Sequence, residues 1–266
     1  MALATVHDRY SDDEIARFYD EGLWTSDTLF GLVEKQAATH LDKVFGTDAV
    51  TSVTYTELRD RGRALAVGLR RRGIGPGDRV VVQMPSWTEF FVIAAAVARI
   101  GAILVPVMPI YRDDEVGFIV ETAGAKAAFT ALDYRRFDHA RMFTELAAAS
   151  PTLDLVIVVR PDGELPAGAV AFDEIPVERA ADEADAEIGP GVGPDEPFVI
   201  VFSSGTTSRP KGCLHTFNTM ACGARLLGRG WGYTEDDVQF GPRPSRTRQD
   251  WSPASSCRWH MARQLT

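Results

Sequence analysis

The feature that most limits what this chain can fold into is a regular exchange between short apolar runs and longer stretches with a helical period. Runs at 79–83 (RVVVQ), 103–107 (ILVPV), 127–130 (AAFT), 153–159 (LDLVIVV) and 198–202 (FVIVF) are strand-like. Between the first four of them, 88–99, 114–122 and 138–148 repeat their apolar residues every three to four positions. Strands this short and this apolar are buried on both faces, and amphipathic helices make the crossovers between parallel neighbours. The pattern predicts an α/β fold, a mostly parallel sheet with crossover helices. Upstream, 12–21 and 28–40 read as amphipathic helices capped by Ser11 and Asp27. Residues 53–55 read as a short strand feeding a helix, with Leu58, Leu65 and Leu69 on one face and Gly73 as its stop. A Pro-Gly-Asp turn follows at 76–78, and 160–197, rich in Pro, Gly, Ala and acids, reads as a solvated excursion.

Residues 90–107 carry Arg99 as their only charge and so resemble a membrane span. Arg99 and Gly101 fall where a helix would end, however, and ILVPV beyond them reads as a buried strand. At 45% hydrophobic and 24% charged the chain lies in the globular range. Its net charge of -9 provides no general positive field, which argues against nucleic acid or an anionic membrane as partner. Cys213, Cys222 and Cys257 form no CxxC pair and the histidines are scattered, as expected of a reduced, cytoplasmic protein without a structural metal. The N-terminal MALATVHDRYSDDE has neither the basic nor the apolar region of an export signal.

Chemistry concentrates in VFSSGTTSRPKGCLHTFN, where a buried strand runs into hydroxyls and a glycine, then a lysine, then a helix expected to start near Leu214. Gly205 lets backbone amides approach phosphate oxygens, and Ser203, Ser204, Thr206 and Thr207 add short hydroxyl donors. Lys211, followed by Gly212, adds a mobile point charge. This is not a Walker loop, which would need glycine at Pro210 and a hydroxyl residue at Gly212.

SSGTTSRPKG resembles the [ST]SG[ST]TGxPKG signature of the adenylate-forming superfamily, which includes acyl-CoA and aryl-CoA synthetases, luciferases and peptide-synthetase adenylation domains. TYTEL at 54–58 and RIGAILVPVMP at 99–109 resemble two further family segments, in order and spacing, so the resemblance covers about 25–240. One position departs: Ser208 stands where the family usually has glycine, and it is taken as tolerated variation. The resemblance implies an incomplete N-terminal domain of the adenylate-forming fold over 1–240. It also implies a reaction in which a small carboxylic acid and ATP, with Mg²⁺, give an acyl adenylate and pyrophosphate, after which a thiol, commonly that of coenzyme A, takes the acyl group. Ser203, Ser204, Gly205, Thr206, Thr207, Lys211 and Gly212 would hold the phosphates. His215 and Asn218, placed on the helix after the loop, are either site-proximal or helix-capping and packing residues. Loading of a carrier protein, or nucleotide binding without catalysis, are the alternative functions.

The pattern stops after 240. Residues 241–266, with RPSRTRQDWSPASSCRWHMARQLT, have neither period and read as a disordered tail that is out of frame. If each codon begins at the third base of the present one, Asp250 with Trp251 gives Leu, Trp259 with His260 gives Ala, and Met261 with Ala262 gives Gly. A GC-rich choice elsewhere permits VAHATGLVTSVVLPVAHGAPTD from Pro244 onward, an apolar run with an HATG-like segment of the family. The catalytic lysine of the family belongs to a C-terminal domain not matched here, so the chain is expected to be inactive alone and prone to aggregate at an open sheet edge.

Overall fold

Capping chemistry sets where the helices begin. In the computed structural model, which describes residues 5–203 and 209–239, Ser11 and Glu14 form a capping box at the start of α1 (Asp12–Asp20). Thr28, not Asp27, caps α2 (Leu29–Thr39): its hydroxyl accepts the Gly31 amide, while Asp27 is taken by Lys35 and Thr25. After the hairpin of β1 (Val44–Thr47) and β2 (Ser52–Thr54) comes α3 (Tyr55–Arg71). Its first turn explains TYTEL physically. The Glu57 amide donates to the Thr54 hydroxyl at 3.1 Å and the Thr54 amide donates to Glu57 Oε2 at 2.8 Å, which satisfies two orphan donors reciprocally.

The predicted alternation is then observed. It runs β3 (Arg79–Gln83), α4 (Glu89–Arg99), β4 (Ile103–Pro106), α5 (Asp113–Ala123), β5 (Ala125–Ala131). A small hairpin, β6 (Asp133–Tyr134) and β7 (Phe137–Asp138), precedes α6 (His139–Ala149) and β8 (Leu155–Val159). Next come β9 (Ala169–Ala171), α7 (Ala181–Ile188), β10 (Pro197–Ser203), β11 (Lys211–Thr216) and α8 (Phe217–Trp231). Seven strands form the main sheet in the order β11-β10-β4-β3-β5-β8-β9, parallel except for β11 against β10. From β3 to β4 the chain steps one way across the sheet, and from β4 to β5 and β8 it steps the other way. Right-handed crossovers therefore put α4 on one face and α5 and α6 on the other. The two cores follow: Val80, Val82 and Phe129 pack with α3 and α4, while Val81, Ile103 and Val105 pack with α5 and α6.

Two further expectations are corrected. Residues 160–197 are not simply a solvated excursion: β9 extends the sheet, and Phe172, Ile175, Ala184 and Ile188 enter the core. Four apolar anchors spaced among exposed residues are too sparse to show a period, yet they suffice to pin the segment across α3. Asp185 adds ion pairs to Arg63 and Arg99 there. The second correction concerns Leu214, which lies in strand β11 and does not begin a helix. Helix α8 starts only where Thr216 accepts the Thr219 amide, and the residues before it spend their backbone groups on β10. Among the described residues no helix is long and apolar enough to cross a membrane; 90–107 is α4 and β4, at the centre of the core. The tail 241–266 lies outside the described residues.

Candidate functional site

Ligands of open α/β sheets bind beyond the carboxyl ends of the strands. Here β10 ends at Ser203 beside its parallel neighbour β4, and the chain returns as β11 with Lys211 paired to Ser203. Of the residues in the expected phosphate loop, Ser203, Lys211 and Gly212 are brought to this end of the sheet. Ser204, Gly205, Thr206, Thr207 and Ser208 lie outside the described residues. Lys211 is exposed, and among the described residues no acceptor engages its ammonium. Gly212 sits opposite Phe202, where a Cβ would come within 3.0 Å of Ile200 Cγ2 and 3.1 Å of Phe202 Cζ. The glycine of PKG thus has a packing reason here: it lets the Phe202 ring lie across the hairpin.

His215 and Asn218 do not join that end. His215 is on β11 opposite Val199, four residues along β10 from Ser203, which is about 13 Å at roughly 3.3 Å per residue. Asn218, in the first turn of α8, is fully buried near the amino end of β10. Its Nδ2 donates to Asp195 Oδ1 at 2.9 Å, to Thr25 O at 3.0 Å and to the Tyr19 hydroxyl at 3.1 Å, and its Oδ1 accepts the Thr25 amide at 3.0 Å. These contacts tie α8 to the N-terminal helices. Burial, together with the hydrogen bond to and charge of Asp195, pushes the Tyr19 hydroxyl up to about 12, so it serves as a neutral donor.

Sequence reasoning missed the supports of the loop that follows β4. Gln83, the polar end of RVVVQ, donates through Nε2 to Met108 O at 2.8 Å and Tyr111 O at 3.0 Å. The buried His139 places Nε2 3.0 Å from Pro109 O and Nδ1 3.0 Å from Phe137 O. Arg112 NH1 returns to Pro109 O and Tyr111 O. One legible signal was a lone glutamine closing the apolar run Val80–Val82. Further along the carboxyl edge, Arg160 pairs with Asp48 and Glu89, each at 2.7 Å, and stacks 5.0 Å from the Trp87 ring centroid. Among the described residues no group of three metal-ligating side chains occurs.

The hydroxyl- and lysine-bearing hairpin thus lies at the carboxyl end of a doubly wound, mostly parallel sheet. The family description "AMP-binding enzyme" matches residues 33–245, and the chain belongs to that family. It is 32% identical over 240 residues to a 2-hydroxy-7-methoxy-5-methyl-1-naphthoate–CoA ligase of Streptomyces carzinostaticus, covering 88% of this chain and 42% of that ligase. It is 28% identical over 237 residues to a medium-chain fatty-acid–CoA ligase of Escherichia coli, covering 88% of this chain and 41% of the other. The apo structure of MbtA from Mycobacterium smegmatis superposes with a TM-score of 0.76 at 26% identity, over 93% of this chain and 46% of that one. The sheet and its helices match the N-terminal domain of the adenylate-forming fold. The chain spans about two fifths of the length of the curated relatives it matches.

Proposed function

We propose that this chain carries the ATP-phosphate site of an AMP-forming acid–thiol ligase. The observation that supports this most directly is the Ser203–Lys211 pair, which opens a hairpin at the carboxyl end of the parallel sheet and leaves the Lys211 ammonium exposed. In this reading Ser203, Ser204, Gly205, Thr206, Thr207, Lys211 and Gly212 surround the β- and γ-phosphates, and Mg²⁺ arrives with the nucleotide and offsets part of its charge. A carboxylate oxygen attacks the α-phosphorus and the bond to the α–β bridging oxygen breaks. Pyrophosphate leaves, its growing negative charge held by the hydroxyls, loop amides and Lys211. A thiolate then attacks the carbonyl carbon of the acyl adenylate and AMP departs.

Coenzyme A is the thiol this reading favours, since relatives named as CoA ligases include one for a naphthoate and one for medium-chain fatty acids. A second reading, delivery to a carrier protein, draws on a relative named salicyl-AMP ligase / salicyl-S-ArCP synthetase, 32% identical over 204 residues. Aryl and aliphatic acids are both candidates, and a panel of each, assayed for pyrophosphate release, separates them.

The test is calorimetric titration of ATP into the wild-type protein and Lys211→Ala. Removing a charge-assisted hydrogen bond to phosphate should weaken binding about ten- to a hundredfold. Equal affinity in both proteins would remove Lys211 from the site and the reading with it.

A further inference from the structure

The return end of the hairpin carries a second cation, and that cation is already engaged. Arg209 places its guanidinium carbon 5.1 Å from the centroid of Phe118, a half-buried residue of α5 that packs against the core formed with β3 and β5. Asp114 and Glu121 stand about one turn to either side of Phe118 on the same helix face. Among the described residues neither takes an ion pair with Arg209, and the ring holds it instead. Stacking of this kind is specific to the planar guanidinium, whose in-plane donors stay hydrated while its face covers the ring. Pro210 follows, and a residue before proline is restricted to extended backbone. Two residues on from the stacked arginine lies Lys211, whose other constraint is its pairing with Ser203.

We propose that Phe118 and Arg209 form a latch between α5 and the β10–β11 hairpin that positions Lys211, both acting as positioning residues for nucleotide binding. The latch rests on the ATP reading of Lys211. Fixing the backbone of Lys211 before the nucleotide arrives removes an ordering cost that binding would otherwise bear.

Two readouts on the full chain test it: amide hydrogen exchange of 209–216, and ATP titration with Lys211→Ala as control. Arg209→Ala and Phe118→Leu should each raise exchange in 209–216 about threefold or more and weaken ATP about two- to fivefold. The double variant should resemble either single one, and Phe118→Tyr, which keeps the ring, should behave as wild type. Thermal melts check that Phe118→Leu folds; Arg209→Ala, on the surface, supplies the same test without that risk. Unchanged exchange in both single variants overturns the latch. So does loss of affinity in Arg209→Ala with none in Phe118→Leu, because Arg209 would then touch phosphate directly. If the exchange pattern holds while neither wild type nor Lys211→Ala binds ATP, the latch stands and the nucleotide reading fails.

Discussion

Strands β3, β4, β5 and β8 are buried on both faces almost throughout, whereas β11, at the edge of the same sheet, exposes Lys211, Gly212 and Cys213. The central strands are mostly Val, Ile, Leu and Ala with helices on both sides, and a change in volume there has nowhere to go. Strand β10 is anchored by β4 and by Phe198, Val199, Ile200 and Phe202 in the cores, whereas β11 outside it is held by its ladder to β10, by Phe202 over Gly212 and by Arg209 on Phe118. Rigid packing at the centre lets the edge spend a residue on an exposed lysine that does little for stability.

The sharpest way to break that contrast is to strike each region with a substitution of similar size. Gly68 lies in α3 where the 172–177 segment crosses it, and a Cβ there would meet Ile175 O at 1.7 Å. Helix propensity alone favours Gly68→Ala by about 1 kcal/mol. A clash with backbone outweighs it, so the expected result is a loss of about 3 kcal/mol or more by denaturant unfolding. Cys213→Ala, on exposed β11, should stay within about 0.5 kcal/mol of wild type. Comparable losses at both sites would mean that the hairpin belongs to the same cooperative packing as the centre.

The same contrast decides how much was legible in the sequence. The buried strands announce themselves, because RVVVQ or LVIVV can be little else, and α3 and α4 end where Gly73 and Gly101 predict. The edge misleads: KGCLHT has the mixed polarity of a strand wet on one side, which in sequence looks like the run-up to a helix. Long-range anchoring was invisible for another reason. Ile175 and Ile188 look like isolated apolar residues in a polar tract, and only the fold brings them to α3 and α4. For the candidate site, the motif singles out Lys211 and Gly212, but Phe118 lies about ninety residues from Arg209 and carries no local signal.

A smaller effect probes the carboxyl edge at its far side from the hairpin. Arg160 has a left-handed backbone (φ 48°), a conformation that costs a non-glycine residue roughly 1–2 kcal/mol. Asp48 and Glu89 offset that strain through their ion pairs with its side chain. Burial raises the Asp48 pKa, but the Arg160 hydrogen bond and the Val50, Thr88 and Thr51 amides outweigh it and hold the carboxyl at about 2. A depressed pKa stabilises the fold fully above the unfolded value near 3.9, and this contribution of about 2 kcal/mol is lost as pH falls toward 2. Asp48→Asn should therefore cost about 2 kcal/mol at neutral pH and flatten the acid limb of the stability profile between roughly pH 4 and 2. An unchanged acid limb would assign the low-pH loss to other carboxylates.

The smallest effect lies where the buried strands meet the polar loops, and there its sign matters more than its size. Thr130, at the end of β5, is fully buried and pairs in register with Gln83 of β3. Thr130 Oγ1 and Gln83 Oε1 both lack a hydrogen-bond partner among the described residues. A buried hydroxyl without a partner costs about 1–3 kcal/mol of desolvation, and valine keeps its shape without that cost. Thr130→Val is expected to raise stability by about 1 kcal/mol, a shift of roughly 2–4 °C in the melting midpoint. A loss instead would mean that the hydroxyl is satisfied in solution, with a water bridging it to Gln83 Oε1 as the arrangement this pair of oxygens allows. The interior would then run dry along β3 and β5 only as far as Val82 and Phe129, and the loop held by Gln83 would rest on a hydrated seat.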